Sequence, residues 1–275
     1  MVINCNSLVL DLSSPKIMGI ININNDSFYK GSQTKTIEEI LSKIAKMLHD
    51  GADIIDLGVM SSRPGAIITL PDFEKTIYDL ILPEILTQFP NTIISIDTIH
   101  SQVAKHVLDT GAHMINDISG GHFSPDMHKV VGQYAVPYVC MHMRGTPETM
   151  QKYTDYEDVV QEILSYFITQ TAKTKKAGIK DTIIDLGFGF SKNMGQNYHL
   201  LSKLENFKML NLPILVGVSR KSMIYKTLKT DADNALNGST VLHTVALMKG
   251  AQILRVHDVK EAKEAATLLE TLSKS

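Results

Sequence analysis

Short apolar runs alternate with longer amphipathic segments along most of the chain. Eight runs of five or six residues are almost continuously apolar: IMGIIN, DIIDL, TIISID, HMIND, PYVCMH, TIIDL, PILVGV and QILRV. Continuous hydrophobicity is typical of strands that are covered on both faces, as they are in a parallel sheet. The pattern therefore predicts eight buried strands.

The segments between these runs have helical periodicity. Apolar positions recur every three or four residues in 36–49 and again in 155–176. A Thr36-x-x-Glu39 capping box predicts that the first of these helices begins near Thr36. Eight strands that alternate with eight helical segments fit an α/β fold of the (β/α)₈ barrel type better than an open doubly wound sheet.

Four of the predicted helices end at a glycine, and an apolar strand follows within a few residues. The four phrases are HDGADIID, DTGAHMIND, KAGIKDTIID and KGAQILRV. Glycine readily takes the left-handed conformation that stops a helix, so these phrases predict helix-to-strand turns. No linker or low-complexity segment interrupts the series. We therefore expect one domain over 1–275, with its core at about 16–270.

Composition narrows the class of protein. The chain has 275 residues, 44% of them apolar and 20% charged, and its net charge is −2 without a basic stripe, which argues against nucleic acid as a partner. Cys5 lies in a polar N-terminal tail and Cys140 in an apolar run, without paired or metal-like spacing, so we expect a reducing compartment. With no signal peptide pattern and no run of about 18 apolar residues, we expect a cytoplasmic protein without a membrane partner.

Polar residues follow the predicted strands at the points where the strands end. In a (β/α)₈ barrel these carboxyl ends and the loops after them form the functional site. A carboxylate at such a partly buried mouth needs a cation, a donor-rich ligand or a metal as a partner. The residues are Asn22, Asp56, Asp97, Asn116, Asp117, His142, Asp185, Ser219, Arg220, Lys221, Arg255 and His257.

Two kinds of chemistry are indicated. Asp97, Asn116 and Asp185 offer acceptors and donors suited to a flat heterocycle with an amidine-like edge, and Lys221 adds a donor for a carbonyl or a ring nitrogen. Arg255 and His257, two residues apart near the last strand, are suited to an anion such as phosphate.

The first two loops extend this site. Asn22, after the first strand, offers an oxygen ligand for a hard cation such as Mg²⁺. The loops 24–33 and 60–70 are long and polar, as binding loops or lids at a barrel mouth usually are, and Arg63 adds a further donor to anions.

Taken together, these residues resemble the dihydropteroate synthase family of folate biosynthesis from about residue 16 to 262. Eight segments in the same order carry the resemblance. They are MGIININNDSF (18–28), GADIIDLGVMSSRPGA (51–66), SIDT (95–98), INDISGG (115–121), MHMRGTP (141–147), IIDLGFGFSK (183–192), PILVGVSRKSMI (213–224) and NGSTVLHTVALMKGAQILRVHD (237–258).

The resemblance implies a transferase that condenses 6-hydroxymethyl-7,8-dihydropterin diphosphate with p-aminobenzoate to 7,8-dihydropteroate and releases pyrophosphate. It implies Asp97, Lys221 and Asp26 as catalytic residues. The implied pterin site is Asp97, Asn116, Asp185, Lys221, Gly217 and Phe190. The implied diphosphate site is Asn22, Arg63, Arg255 and His257, with Mg²⁺ on Asn22. The implied p-aminobenzoate site is Ser27, Ser62, Pro64, Phe190, Ser219 and Lys221.

The implied chemistry needs neither a strong base nor a protein nucleophile. The family is thought to lose pyrophosphate first, so that cations stabilise the leaving group and carboxylates such as Asp97 oppose the charge on the pterin methylene. No Ser/His/Asp or Cys/His arrangement stands out in the sequence, and Cys140 is interpreted as a packing residue. The resemblance also implies sensitivity to sulfonamides and a homodimer formed through the later helices.

The chain departs from the family pattern mainly in the loops. Asn24-Asn25 stand where Thr-Pro is usual, Met60 where Glu is usual, and Leu186 where Pro is usual. We expect these changes to affect p-aminobenzoate affinity and the response to sulfonamides more than the pterin and diphosphate sites.

Three other interpretations fit parts of the pattern. A pterin-binding methyltransferase shares the barrel and the pocket but needs no diphosphate clamp. A non-catalytic pterin-binding paralogue would account for the altered loops. Some other phosphate-binding barrel would keep Arg255 and His257 but leaves Asp97, Asn116 and Asp185 unexplained together.

Overall fold

A closed barrel of eight parallel strands, surrounded by helices, is preceded by a small antiparallel hairpin. The computed structural model describes residues 1–23, 33–60 and 65–274. The hairpin consists of β1 (Val2–Cys5) and β2 (Leu8–Asp11). The barrel strands are β3 (Lys16–Asn22), β4 (Ile54–Gly58), β5 (Ile93–Asp97), β6 (Met114–Asp117), β7 (Tyr138–Met141), β8 (Thr182–Asp185), β9 (Ile214–Val216) and β10 (Ile253–Val256). Successive strands pair in parallel and β10 pairs with β3, which confirms the predicted (β/α)₈ fold.

The helices follow the strands in alternation. Within the described residues they are α1 (Gln33–His49), α2 (Pro71–Gln88), α3 (Ser101–Thr110), α4 (Met127–Tyr134), α5 (Val159–Lys176), α6 (Met194–Ser202), α7 (Ser222–Thr227), α8 (Leu236–Met248) and α9 (Val259–Lys274). Short 3₁₀ helices lie at Met150–Lys152 and Leu204–Leu210. Across the described ranges, no helix combines the length and the apolar character that a membrane crossing requires.

An apolar layer fills the end of the barrel where the strands begin. Each barrel strand contributes one buried residue to it: Met18, Ile54, Ile93, Met114, Val139, Ile183, Leu215 and Ile253. The hairpin packs Ile3, Cys5, Leu10 and Leu12 against this layer. The hydrophobic effect therefore fixes the hairpin as a plug over the amino-terminal end of the barrel.

The interpretation of the first residues as a polar tail is therefore wrong. Strands β1 and β2 are joined by the two-residue turn Asn6-Ser7, and Asn6 adopts a positive φ of 60°. Cys5 pairs with Leu8 in the hairpin and is fully buried. Burial is the main cause that raises the pKa of its thiol, to about 12, so this cysteine is unreactive at neutral pH.

The helix boundaries follow local signals, with one exception. The glycines of all four predicted helix-to-strand turns, Gly51, Gly111, Gly178 and Gly250, have positive φ angles, as expected. The predicted capping box is wrong, because α1 already includes Gln33 and Thr36 lies inside the helix. Helix α5 begins four residues later than the predicted segment, since the Asp158 side chain accepts from the backbone N–H groups of Val160 and Gln161 as an N-cap.

Candidate active site at the barrel mouth

A polar layer lies directly above the apolar layer. On each strand it begins two residues further along, and residues two apart in a strand face the same way. The residues at these positions are Ile20, Asp56, Ser95, Asn116, Met141, Asp185, Gly217 and Arg255. This layer brings together Asn116, Asp185, Gly217 and Arg255, which are four of the predicted site residues.

Asp56 connects the members of the polar layer. Its carboxylate accepts hydrogen bonds from Ser95 Oγ at 2.7 Å and from Asn116 Nδ2 at 3.0 Å. Arg255 donates to it through Nε at 2.7 Å, and Arg255 Nη2 lies 2.6 Å from Asp56 Oδ2. Asp56 is fully buried, and a buried carboxylate needs such donors in place of water. Asp56 is absent from the predicted ligand contacts, yet it fixes two residues that are among them.

Asp97 is the last residue of β5, and only one of its two carboxylate oxygens accepts a hydrogen bond within the described residues. Arg255 Nη2 donates to Asp97 Oδ2 at 2.8 Å, whereas the buried Oδ1 accepts no hydrogen bond within the described residues. Burial is the main cause that raises the pKa of Asp97 to about 7; Arg255 opposes this shift, and Asp56 adds to it. A buried acceptor without a donor is costly, so Oδ1 is a position for a ligand that donates a hydrogen bond.

Arg255 is an ion-paired group rather than a free cation. Burial alone would lower its pKa, but the neighbouring carboxylates of Asp56 and Asp97 outweigh burial and raise it. The sequence pattern predicts that Arg255 binds an anion. Any anion at the mouth would therefore share this guanidinium with two carboxylates.

Lys221 and Asp185 form the opposite part of the site. Lys221 Nζ donates to Phe188 O at 2.5 Å and lies 4.8 Å from the centroid of the Phe190 ring. Asp185 Oδ1 accepts from Gly187 N–H at 2.8 Å. Burial lowers the pKa of Lys221 to about 8, against the effect of Asp185, and burial raises the pKa of Asp185, against the effect of Lys221. The predicted pterin residues thus include a buried donor and a buried acceptor that influence each other.

Two glycines leave space between the charged groups. A methyl group added at Gly217 would lie 3.7 Å from Lys221 Nζ and 3.9 Å from Arg255 Cβ. One added at Gly58 would lie 3.7 Å from Asp97 Oδ2 and 3.8 Å from Asn22 Oδ1. Both glycines therefore keep the mouth open at points where a side chain would compete with a ligand.

Ser219 and His257 are joined above Arg255. Ser219 Oγ lies 3.1 Å from His257 Nδ1 and accepts from the His257 backbone N–H at 3.2 Å. His257 follows the end of β10 and is exposed at the mouth. Desolvation of the ring face against the protein, together with the charge of Arg255, lowers the pKa of His257. His257 and Ser219 thus lie together at the mouth, next to the charge of Arg255.

Asn22, the residue predicted to hold a metal ion, is the last residue of β3. Among residues 1–23, 33–60 and 65–274, no cluster of three or more His, Cys, Asp or Glu side chains is arranged to hold a metal ion. Asn22 is exposed, and its amide oxygen and Asp97 Oδ2 would lie 3.8 and 3.7 Å from a methyl group added at Gly58. Mg²⁺ prefers oxygen ligands and keeps waters and substrate phosphates as its other ligands, so one amide oxygen beside a carboxylate fits it.

An apolar cluster closes part of the mouth. Its buried members are Met60, Ile99, Ile118, Met141, Met143, Met150 and Phe190, and Ile68 packs against them. Gly65 N–H donates to Pro147 O at 3.0 Å, which ties the loop after β4 to the loop after β7. Met60, one of the departures from the family pattern, thus replaces a carboxylate by an apolar contact between these loops.

Five predicted site residues lie outside the described residues. Asp26 and Ser27 belong to the first loop, and Ser62, Arg63 and Pro64 to the second. Their roles stay predictions, as does any effect of Asn24 and Asn25.

Asp117 follows Asn116 and points away from the mouth. Its carboxylate accepts from Ser119 N–H, from Gly121 N–H and from Tyr138 Oη, each at 2.8 Å. These donors satisfy the buried carboxylate, so Asp117 shapes the loop after β6 and is not available to a ligand.

Two buried residues near the site, Glu74 and Lys192, were not predicted. Glu74 in α2 accepts from Thr98 Oγ1 at 2.8 Å, next to Asp97. Lys192 is only 3% exposed, and its amino group donates to the carbonyl oxygens of Gly187 and Phe190 in the turn after β8. A charged residue at an apolar helix position was the available signal for Glu74, and a lysine directly before the α6 N-cap residue Asn193 was the signal for Lys192.

Known proteins resemble the chain over nearly its whole length. The matching family, pterin-binding enzymes, covers residues 18–257. The dihydropteroate synthase of Escherichia coli K12 is 40% identical over 268 residues, which cover 96% of this chain and 94% of that protein. The Xanthomonas albilineans dihydropteroate synthase solved with 4-aminobenzoic acid has a TM-score of 0.92 at 31% identity, over 100% of this chain and 98% of its own.

A second solved structure gives the same result. The Yersinia pestis dihydropteroate synthase in a sulfonamide drug complex has a TM-score of 0.91 at 36% identity, with 100% of both chains covered. The methyltransferase and the unrelated phosphate-binding barrel, two of the alternatives, do not account for this identity. The fold, the polar layer and the extent of these similarities agree that this chain belongs to the pterin-binding enzymes and, within them, to the dihydropteroate synthase family.

Proposed function

We propose that the polar layer and Asp97 bind the pterin ring in the reaction of this enzyme. That reaction joins 6-hydroxymethyl-7,8-dihydropterin diphosphate to p-aminobenzoate, gives 7,8-dihydropteroate and releases pyrophosphate. The observation that carries the assignment is the buried Asp97 Oδ1, which has no donor within the described residues. The N–H groups of a pterin supply such donors. The residues of this subsite are Asp97, Asn116, Asp185, Lys221, Gly217 and Phe190.

The diphosphate is assigned to the rim of the mouth above Arg255. Asn22 and His257 are exposed there, and Arg255 connects the rim to the carboxylates below it. Arg63 is assigned to the same subsite from the sequence. Because the role proposed for Arg255 is to bind the diphosphate, we expect Arg255→Ala to reduce turnover more than pterin affinity. Unchanged turnover in a folded Arg255→Ala protein would contradict the anion role.

Mg²⁺ is assigned to Asn22, with the remaining ligands coming from the diphosphate and water. When bound, it neutralises charge that develops on the leaving group. The described residues contribute one amide oxygen to this site, so we expect the ion to bind with the substrate rather than before it.

The protein groups act on the charges of the reaction. The bond between the pterin methylene and the diphosphate oxygen breaks first, and its electron pair leaves with pyrophosphate. Asp97 lies on the side where positive charge then develops, while Arg255 faces the side where negative charge develops. The aryl amine afterwards forms the new C–N bond and loses a proton. Lys221 holds the pterin for this step, and Asp26 is assigned a catalytic role from the sequence.

The p-aminobenzoate site is assigned to the upper face of Phe190. Phe190 belongs to the apolar cluster, and its ring lies below Lys221 Nζ, so an aryl ring and a carboxylate find an apolar and a cationic partner together. Ser219 lies beside the same rim. Ser27, Ser62 and Pro64 complete this subsite from the sequence. Sulfonamides, which share the aryl amine, are expected to compete for it.

We also assign a homodimer to the exposed surface of α8 and α9. Four apolar side chains there are more than half exposed: Val241, Met248, Leu268 and Leu272. Replacing Leu268 by Lys is expected to convert a dimer into a monomer in analytical ultracentrifugation. Ile168→Lys, on the exposed face of α5, is the control and should not change the oligomeric state. A reducing, cytoplasmic setting is part of the same proposal, since both cysteines are buried and free.

The test of the function is pyrophosphate release by the purified protein with the dihydropterin diphosphate and Mg²⁺, with and without p-aminobenzoate. Release that depends on p-aminobenzoate, with dihydropteroate formed, supports the enzyme. Pterin binding without product would instead support the non-catalytic paralogue. Asp185→Ala and Lys221→Ala are expected to weaken pterin binding in either case.

A further inference from the structure

Lys192 is a buried amino group with an unusual set of neighbours. Its Nζ lies 2.9 Å from Gly187 O, 3.0 Å from Phe190 O and 3.1 Å from His142 Nδ1, while His142 O is 3.5 Å away. The side chain is 3% exposed and makes no ion pair within the described residues. Three hydrogen-bonding partners thus lie within 3.1 Å of Nζ, two of them carbonyl oxygens of the turn after β8, and burial lowers the pKa of Lys192 well below its usual range. A buried lysine is costly, so its three hydrogen bonds must be retained together.

The turn that Lys192 fastens faces the site with its other side. Phe188 O accepts from Lys221 Nζ at 2.5 Å, and the Phe190 ring lies below the same amino group. Gly187 N–H, in the same turn, donates to Asp185. Lys192 makes no hydrogen bond to Asp185 or Lys221, although it interacts electrostatically with both, and the hydrogen bonds and ring contact of the turn with these two residues come from Gly187, Phe188 and Phe190.

The turn has little freedom to find another position while these bonds exist. Gly187 has a φ of +67°, and a methyl group added there would lie 2.1 Å from His142 O, so the turn packs tightly on the end of β7. On the other flank, Gly189 N–H donates to Asn197 Oδ1 at 2.7 Å. Lys192 bonds to the two carbonyls that bracket Phe188 and Gly189, the residues whose backbone approaches Lys221.

We propose that Lys192 is a positioning residue, which fixes the Phe188 carbonyl and the Phe190 ring so that Lys221 is directed at the pterin. The inference rests on the proposed function, because it takes Lys221 as a pterin ligand. Misplacing one ligand by about an ångström is enough to cost roughly 100-fold in rate or affinity.

The test compares Lys192→Met, which keeps the length of the side chain but removes its donors, with the unaltered enzyme and with Lys221→Met. We expect Lys192→Met to raise the dissociation constant for 6-hydroxymethyl-7,8-dihydropterin at least tenfold. Lys192→Gln keeps two N–H donors and is expected to recover part of that loss. Lys192→Gln also replaces Lys192→Met in all measurements if the Met variant does not fold.

A pH profile separates positioning from general loss of stability. Lys221 faces Asp185, Arg255 and Asp97, and its pKa of about 8 results mainly from burial. If the turn loosens, water reaches Lys221, and the alkaline limb of pterin binding moves to higher pH. Because Lys192 also interacts electrostatically with Lys221, and both Lys192→Met and Lys192→Gln remove that interaction, the loosened turn is reported by a larger shift in Lys192→Met than in Lys192→Gln. Leu204→Ala, in the outer core away from the turn, is the control; it is expected to lower stability without moving this limb.

The outcomes distinguish a failure of the positioning role of Lys192 from a failure of the proposed pterin site. Weakened binding in Lys221→Met together with unchanged affinity and an unchanged alkaline limb in folded Lys192→Met would overturn the positioning role alone. Unchanged pterin binding in Lys221→Met would overturn the proposed pterin site. Weaker binding in both variants, with the alkaline limb shifted in Lys192→Met and partial recovery in Lys192→Gln, would support the proposal.

Discussion

Asp56 and Arg255 form an ion pair across the barrel interior, with Arg255 Nη2 2.6 Å from Asp56 Oδ2. Their strands, β4 and β10, are not neighbours, because β3 lies between them. Removing Asp56 takes away one of the two carboxylates paired with Arg255 and also the acceptor of the hydrogen bonds from Ser95 and Asn116. We therefore expect Asp56→Ala to lower the free energy of unfolding by about 3–5 kcal/mol in urea denaturation.

The double variant Asp56→Ala/Arg255→Met tests the pairing itself. It should cost less than the sum of the two single variants, because the interaction between Asp56 and Arg255 is then lost only once, although Asp97 also loses its cation. Asp109→Ala is the control, since its ion pair with Lys105 is exposed and should contribute little. Additive costs in the double variant would show that the two side chains do not stabilise each other.

Pterin affinity should pass through a maximum between the pKa values of Asp97 and Lys221. As the pH rises through about 7, Asp97 loses its proton and becomes a full acceptor; as it rises through about 8, Lys221 loses its charge. The measurement is the dissociation constant of 6-hydroxymethyl-7,8-dihydropterin in the absence of Mg²⁺. This ligand carries no phosphate group that could titrate over the same pH range. Asp97→Asn should remove the acid limb and Lys221→Met the alkaline limb. A flat profile for the unaltered protein would refute these assignments.

Glu74 should make the protein less stable as the pH rises. Burial is the main cause that raises its pKa to about 8, while the hydrogen bond from Thr98 opposes the shift and Asp97 adds to it. Between its ordinary pKa of 4.5 and about 8, the folded state keeps a proton that the unfolded state has lost. The unfolding constant therefore increases with pH, by up to about tenfold per pH unit.

Glu74→Gln removes this proton difference. Its unfolding free energy, measured in urea from pH 5 to 8, should decline less with pH than that of the unaltered protein. Glu84→Gln, on the exposed side of the same helix, should leave the slope unchanged. Equal slopes for the unaltered protein and Glu74→Gln would mean that Glu74 is ionised in the folded state.

The hairpin should contribute to stability without affecting the site. Leu10 is 3% exposed against the apolar layer, whereas Val9, its neighbour in β2, is 67% exposed. Leu10→Ala is expected to cost about 2–4 kcal/mol and Val9→Ala less than about 0.5 kcal/mol in thermal or urea unfolding. Pterin affinity should be the same in both variants. A large loss of affinity in folded Leu10→Ala would show that the plug also supports the mouth.

Side chains alternate between the two faces of a strand, and this alternation made much of the site predictable. Because residues two apart share a face, the apolar layer and the polar layer above it follow from the eight runs, and Asn116, Asp185 and Arg255 meet as expected. Asp56 is on the same face by the same rule. Its importance was not predictable, because its partners come from three other strands and the choice among many polar pairs depends on the closed barrel.

Other features depended on signals that were present but weak. Ile3, Cys5, Leu10 and Leu12 alternate with polar residues around Asn6-Ser7, which is a hairpin pattern, but four-residue strands give little periodicity to detect. Lys192 is a different case, because a lysine before the N-cap residue Asn193 does not indicate which backbone carbonyls its amino group reaches.

The plug at the amino-terminal end of the barrel leaves the interior with a single entrance. Asn116 and Asp185, which are assigned to the pterin, lie in the polar layer directly above the plugged end, whereas Ser219, which is assigned to p-aminobenzoate, lies at the rim of the mouth. A ligand bound at the rim of the mouth therefore blocks access to the polar layer below it. For the proposed substrates we therefore expect the pterin diphosphate to bind before p-aminobenzoate. Steady-state kinetics should then follow an ordered rather than a random scheme.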